Sequence, residues 1–376
     1  MVGIYKRSQD YLKRSFLISV CLWFVILSNV CAESYETADK MDLPSLVSTL
    51  RISSPLSFCG EDVPVDNRDV QERLEKEILL SLWDRPQIVL WLKRSTRYFP
   101  YIESELKKNG MPDDLKYLAI AESALLPHAG SQKGAIGFWQ FIPGTGRKYG
   151  LIIDEHIDER RNFYASTAAA MKYLNELYKK FNSWTLVAAA FNMGDKGLMT
   201  EILEQGTDDY YELYLPLETQ RYIFRVISAK LIFSDPAKYG FNLTEKDYYL
   251  PDEFDEVKIN CSDDVPIRII AQAAKTQFKV IKDLNPEIRG YYLIKGKHTI
   301  LIPKGSSDGF KSRYKAYIHK YISAQKDRVY IVKEGDNLSS IAEKYDVPLK
   351  TLLIWNKIDH NRPIHPGDRL IIHKNN

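Results

Sequence analysis

Apolar positions recur at helical spacing along most of the chain. Ile88, Leu90, Trp91 and Leu92 open a helical stretch after Pro86, and Tyr98-Phe99-Pro100-Tyr101 leads into a second that stops at Asn109-Gly110. Another begins at Met111: Pro112 suits the first helical position, Asp113 and Asp114 the positive end of the dipole, and Leu115, Leu118 and Ala119 form an apolar stripe. A Gly-rich loop follows. Ser166–Leu177 (STAAAMKYLNEL) places Ala170, Leu174 and Leu177 on one face behind a Ser/Thr start. Trp184–Phe191 (WTLVAAAF) is small and apolar almost all round, which predicts a buried central helix. Helical character resumes at Glu218 and runs to about Ile232, and Pro236, Lys238, Tyr239 and Gly240 close a helical domain over 86–240. Residues 33–85, interrupted by Pro44, Pro55 and Pro64, read as an irregular segment wrapped around that domain.

Beyond residue 240 two shorter segments resemble each other. In the second, Val329–Val332 predicts a strand, Gly335-Asp336 a turn, Leu338–Lys344 and Leu349–Asn356 two short helices, and Leu370–Ile372 a closing strand. In the first, Ala271 precedes Asn285 by 14 positions, as Ala342 precedes Asn356, and Ile300–Ile302 matches the closing strand. The pattern predicts a duplicated βααβ module, at 241–303 and 329–374. Between them, over 304–328, Ser306–Gly309 marks a linker, and Phe310, Tyr314, Tyr317, Ile318 and Tyr321 follow at helical spacing. Such a basic amphipathic helix suits a membrane surface or an anionic polymer; the reading preferred here packs its aromatic face on a neighbouring domain and leaves its lysines in water.

At 376 residues the chain can bury two or three cores, and 45% hydrophobic with 27% charged residues is a globular composition. Lys6, Arg7, Lys13 and Arg14 precede an apolar run from Phe16 to Leu27, and Val30-Cys31-Ala32 offers a cleavage site. Residues 1–32 therefore read as a secretory signal peptide, with an uncleaved anchor as the alternative, and place the protein in the periplasm. Their removal takes away four basic groups and one acid, so the formal charge falls from +3 to zero. That excludes the concentrated positive charge of a nucleic-acid binder. Two cysteines remain, Cys59 and Cys261, which export favours as a disulfide, free burial being the alternative. The seven histidines are scattered, so no metal-ligand spacing appears and no cofactor is expected.

Glu122 lies seven positions after Leu115, two helical turns along the same apolar stripe. Burial there disfavours ionisation and raises the pKa, and a carboxyl kept protonated near neutrality can act as a general acid. Most helical glutamates are simply solvated, so the helix alone does not assign the role.

Three motifs in order, Glu122-Ser123, GAIGFWQFIP from Gly134, and AAFNMG from Ala189 to Gly194, resemble the family 1 (soluble-type) lytic transglycosylases. Asp158–Arg161, Glu218-Thr219 and Tyr222 extend the resemblance over roughly residues 85–235, and the C-terminal repeats resemble LysM modules. The resemblance implies a mainly α protein: a goose-type lysozyme-like domain followed by small α+β modules. It implies that Glu122 is the catalytic acid and base, that Ser123 helps position it or the sugar, and that Gln140, Asn192 and Tyr222 contact substrate. Members cleave the MurNAc-β-1,4-GlcNAc bond of peptidoglycan by attack of the muramyl C6 hydroxyl on the anomeric carbon, giving a 1,6-anhydro sugar. No second carboxylate with a nucleophile's role is found in the motifs, which fits that route. Gly134 and Gly137 would let the loop approach a bulky polymer, while Trp139 and Phe141 also suit a core role. Phe191 replaces the family's usual Tyr and loses its hydroxyl. Gly335, Asp336 and Asn337 occupy the LysM glycan-binding turn; the first repeat has Cys261–Asp264 there and reads as degenerate. The expected partner is the peptidoglycan glycan strand, bound by a monomer, with peripheral membrane association in view. The alternatives are a muramidase of the same fold and an inactive peptidoglycan-binding protein.

Overall fold

The computed structural model describes residues 43–52, 54–326, 329–359 and 361–372, so the expected signal peptide lies outside the described residues. The described residues divide into two compact units, one of residues 43–51 and 235–242, the other of 52–234 and 243–372. In the first, a single helical turn spans Leu46–Thr49, and Lys238 Nζ donates to the Arg51 carbonyl.

The second unit opens with a hairpin of β1 (Leu56–Phe58) and β2 (Glu61–Val63). The segment expected to wrap instead supplies a core helix, α1 (Arg68–Trp83), capped by Asn67, whose side chain accepts from Asp69 N. Its apolar stripe runs at fours through Val70, Leu74, Ile78 and Leu82, all buried. The fully buried Leu74 and Ile78 each contribute roughly 1.5–3 kcal/mol by leaving water. The prolines upstream mask this helix only until Pro64.

α2 (Arg85–Lys108) is one helix where two were expected, and Pro100 lies inside it. Ile88, Leu92, Ser95, Phe99, Ile102 and Leu106 form an unbroken buried face, and this packing carries the helix through the missing amide hydrogen bond. A 3-10 turn at Asp113–Leu115 leads into α3 (Lys116–Ser123). After α4 (Pro143–Lys148) come α5 (Phe163–Phe181), α6 (Trp184–Met193), α7 (Asp195–Gln205) and α8 (Leu217–Ser234). α6 is central as its composition requires: Thr185 to Ala190 are all buried. Its N-terminus is capped by Ser183 and, from the β-hairpin, by the Glu61 carboxylate, which accepts from Trp184 N, Thr185 N and both neighbouring hydroxyls. A carboxylate there satisfies orphan amides and opposes the helix dipole. α8 packs on α1, α3 and α6.

The first repeat has β3 (Phe254–Cys261), β4 (Val265–Pro266), α9 (Ile267–Ala273), α10 (Phe278–Leu284), β5 (Tyr292–Leu293) and β6 (Gly296–Pro303). β3 pairs antiparallel with β6, Val257 opposite Ile300. α11 (Phe310–Lys326) follows, and Phe310, Tyr314, Ile318 and Tyr321 pack on the first repeat's core, while Tyr317 stays exposed. The second repeat has β7 (Val329–Ile331), α12 (Leu338–Lys344), α13 (Leu349–Asn356) and β8 (Arg369–Ile371), with Tyr330 opposite Leu370. The two asparagines singled out by spacing do the same work. Asn285 Nδ2 donates to Ile281 O and Leu301 O while its Oδ1 accepts from Leu301 N. Asn356 repeats this with Leu352 O, Ile371 O and Ile371 N. Each side chain ties the second helix of its repeat to the closing strand.

Cys59 and Cys261 are both free. Cys59 N donates to Asp114 Oδ2 beside the β1–β2 turn, whereas the Cys261 thiol lies 3.7 Å from the Tyr314 hydroxyl in the first repeat, so the expected disulfide is not formed. Among the described residues no helix is long and apolar enough to cross a membrane.

Candidate active site

α3 is short because its end is forced. Ala124 and Leu125 both take left-handed backbone, at φ 53° and 61°, which stops the helix directly after Glu122-Ser123 and turns the chain into the Gly-rich loop. Two consecutive non-glycine residues there hold strain of order 1–3 kcal/mol each, and Arg94 Nη1 secures the turn by donating to Ala124 O at 3.1 Å.

Leu115, Leu118 and Ala119 are fully buried, and Glu122 continues their face to the edge of a cavity of about 640 Å3. Burial pushes its carboxyl up to about 7, opposed by a hydrogen bond from Tyr222 and by Arg225, and assisted by the negative charge of Glu218. The Tyr222 hydroxyl donates to Glu122 Oε1 at 2.6 Å. Tyr222 is itself 1% exposed, so its contact is with the carboxyl and not with the cavity. Burial and the adjacent Glu122 drive its own pKa well above the usual phenol range.

The loop from Ala129 to Ile142 makes one wall. Ser123 is buried, and its hydroxyl donates to Phe138 O at 2.8 Å, so it fastens the loop to the end of α3 and makes no surface for sugar. Gln140 lines the cavity, and its amide nitrogen donates to Ala129 O and Gly137 O, closing the loop on itself. Trp139 and Phe141 are core residues that floor the cavity, and Trp139 Nε1 donates to Thr167 Oγ1. Gly137 is needed for packing and not for approach of a polymer. A Cβ there would meet the Arg160 carbonyl oxygen at 1.8 Å, at a φ of +87°.

The residues that hold this loop were carried only as part of the motif. Arg160 and Asp158, 5% and 2% exposed, form a two-pronged ion pair at 2.8 Å. Arg160 Nη1 then donates to Gly134 O and Phe141 O, at both ends of the loop. The first repeat reaches this strap directly: Asp158 N donates to Glu287 O and Arg289 N to His156 O.

The opposite wall comes from the end of α6 and the start of α8. Asn192 lines the cavity, and its Oδ1 accepts from Thr219 Oγ1 at 2.9 Å, which leaves the amide NH2 to donate. Phe191 lies between Trp139, Phe141 and Tyr173, and Tyr173 also lines the cavity with its hydroxyl 3.5 Å from Ala190 O. Asp195 is absent from the lining; it starts α7 and pairs with Lys180, which holds it below the usual carboxylate range. A second carboxylate is nevertheless present. Glu218 lines the cavity, 60% exposed at its side chain, with its oxygens 3.1 and 3.5 Å from the Arg225 guanidinium. The available signal was its spacing of four from Tyr222, which puts both on one helical face.

Of the residues expected to bind glycan in the second repeat, Gly335 supplies a φ of +85° and the other two build the turn. Asp336 Oδ2 accepts from Lys333 N and from the Tyr330 hydroxyl, and Asn337 caps α12 reciprocally with Ser340. Among the described residues no group of three His, Cys, Asp or Glu side chains is placed to hold a metal ion.

A helical domain with a half-buried acid lining a cleft at the end of a short helix, followed by βααβ modules, defines the class: a lysozyme-like SLT domain with a C-terminal LysM domain. Residues 99–214 match the Transglycosylase SLT domain and 330–373 the LysM domain, and the chain carries both. Over 293 residues it is 32% identical to membrane-bound lytic murein transglycosylase D of Escherichia coli (strain K12), covering 74% of this chain and 64% of that protein. The protein of the same name from Escherichia coli O6:H1 matches to the same extent. The chain thus spans 64% of the length of these relatives. Among solved structures, an inactive mutant of the lytic transglycosylase Slt from Pseudomonas aeruginosa aligns over 49% of this chain and 31% of that one, at 18% identity and a TM-score of 0.30.

Proposed function

We propose that the protein is an exported peptidoglycan lytic transglycosylase of the cell envelope, cleaving the MurNAc-β-1,4-GlcNAc bond with formation of 1,6-anhydro-MurNAc. The observation that carries the reading is Glu122, a carboxyl raised to about 7 at the wall of an open cleft and hydrogen-bonded by Tyr222. Protonated, it delivers its proton to the leaving glycosidic oxygen; ionised by that step, it accepts the proton of the muramyl C6 hydroxyl as that oxygen attacks the anomeric carbon. One group therefore serves both halves of the reaction, and no water enters. The Asn192 amide, fixed by Thr219, is placed to orient an N-acetyl or hydroxyl oxygen of the sugar, and the Arg160 strap keeps the loop from collapsing into the cleft.

Glu218 favours one competing reading, a muramidase in which this second carboxylate activates water. Its pairing with Arg225 supports the first reading, since the guanidinium competes with a water for the carboxylate oxygens. The test is mass spectrometry of products from purified sacculi. Release of 1,6-anhydro-muropeptides is expected, and reducing-end products would establish the hydrolase. Export and periplasmic residence rest on the leader-like segment at 1–32, and are tested by cell fractionation with N-terminal sequencing of the mature protein.

A further inference from the structure

The two repeats meet. Lys357, just past α13, pairs with Asp264 in the β3–β4 turn and lies over the Tyr292 ring at 5.2 Å. Beside this contact is a cavity of about 500 Å3 that shares no lining residue with the Glu122 cleft. Three elements build it. Tyr292 comes from the first repeat, Tyr314 and Tyr321 from α11, and Trp355 from the second repeat, so aromatic faces enclose it from three directions. Aromatic rings of this kind take the apolar faces and N-acetyl methyl groups of sugars.

Its charge is one-sided. Lys258, Lys311, Lys315 and Lys357 line it against Asp263 and Asp264. With Lys357 and Asp264 already paired, three ammonium groups face one carboxylate. None of Lys258, Lys311 and Lys315 has a carboxylate within 4 Å among the described residues. A neutral glycan has no use for that excess, and a lipid surface would need a flat apolar face where this one is concave. The complement is a ligand that is part sugar and part acid.

We propose that this cavity binds an acidic muropeptide segment, with the N-acetyl sugar against Tyr314 and Trp355 and the free carboxylates of the peptide stem on Lys258, Lys311 and Lys315. The inference rests on the peptidoglycan reading above and adds a site to it. The tail then holds the wall polymer by its stems, at a place no single repeat forms, and the first repeat contributes although its own turn lacks the glycine.

The experiment is calorimetric titration of the full chain with a soluble GlcNAc-MurNAc-tetrapeptide, which contains no MurNAc-GlcNAc bond to cleave. A neutral GlcNAc tetramer and vesicles of pure phosphatidylglycerol are titrated alongside. Lys311 and Lys315 are exposed on α11, so Lys311→Ser with Lys315→Ser should fold normally. The double variant is expected to bind the muropeptide tenfold or more weakly and to lose most of the salt dependence of binding, with Lys320→Ser, outside the lining, unchanged. Muropeptide affinity equal in the parent and the double variant would overturn the proposal. So would binding of the tetramer or the vesicles with none of the muropeptide. Reducing-end products from sacculi together with the expected loss of affinity would sink the transglycosylase reading and leave this site standing.

Discussion

Tyr222 and Glu122 are 100 positions apart in sequence and 2.6 Å apart in the fold, with the phenol donating to Glu122 Oε1. The contact works against burial. Desolvation raises the carboxyl, and the hydrogen bond stabilises its ionised form, so the acid settles at about 7, where it can both give and take a proton.

Tyr222→Phe removes the donor that favours the carboxylate. The pKa of Glu122 should rise further, and the alkaline limb of the pH-rate profile should move up by about one unit, the worth of one hydrogen bond to a charged group. A limb that stays in place or moves down would show that Tyr222 does not tune the acid.

Glu122→Gln should lower the rate of sacculus digestion by roughly 10²–10⁴-fold. It should also stabilise the fold. The folded pKa, about 7, exceeds the ordinary 4.5, so the native state retains a proton that the unfolded chain has released. Stability therefore falls as pH rises from about 4.5 to 7, and the variant escapes that loss. Thermal unfolding at pH 8 should show a gain on the order of 1–3 kcal/mol that vanishes below pH 4. Equal melting at both pH values would contradict a buried acid.

Glu218→Gln has the opposite sign. It removes a negative charge that raises Glu122 and releases Arg225, which lowers it. The alkaline limb should shift to lower pH while the products stay those of the parent protein. A loss of turnover of about 100-fold or more with an unshifted profile in the residual activity would give Glu218 a part in the chemistry itself.

Gly137→Ala places a Cβ against the Arg160 carbonyl at a positive φ. The loop must move, at a cost of about 2 kcal/mol or more. Arg160→Ala leaves the buried Asp158 only its longer contact to Arg161, at 3.7 Å, and should cost about 3 kcal/mol. Both should depress digestion more than binding to sacculi, as measured by sedimentation, because the loop belongs to the cleft and not to the tail.

Asn285→Ala and Asn356→Ala each strip one strand of a paired N–H and C=O, at about 1–3 kcal/mol per unsatisfied group. The second repeat is the smaller core and should unfold first, which hydrogen exchange at Leu370 and Ile371 would report. Protection unchanged in Asn356→Ala would remove the asparagine from the account of this module.

Much of this was legible in sequence because the signals are local. Periodicity marks α5, α6 and α8; an apolar stripe of period 3.6 marks Glu122 as facing inward; equal spacing to Asn285 and Asn356 marks the duplicated module. The misses have one cause. α1 was hidden by upstream prolines and α2 was split at Pro100, because local propensity was read where burial against neighbouring helices decides. Ser123 and Asp336 carry polar side chains suited to a ligand, and the fold uses them on backbone groups instead.

What the sequence determined by itself is most of the later helices of the domain, the acid that follows the apolar stripe of its helix, and which segment is repeated, since each follows from spacing along one element. What only the tertiary structure decided is the state of that acid. Its pKa depends on burial and on Tyr222, Arg225 and Glu218 arriving from a helix about 100 positions away. Electrostatic and hydrogen-bonding forces act over a few ångströms of space, and spacing along a chain does not record that distance.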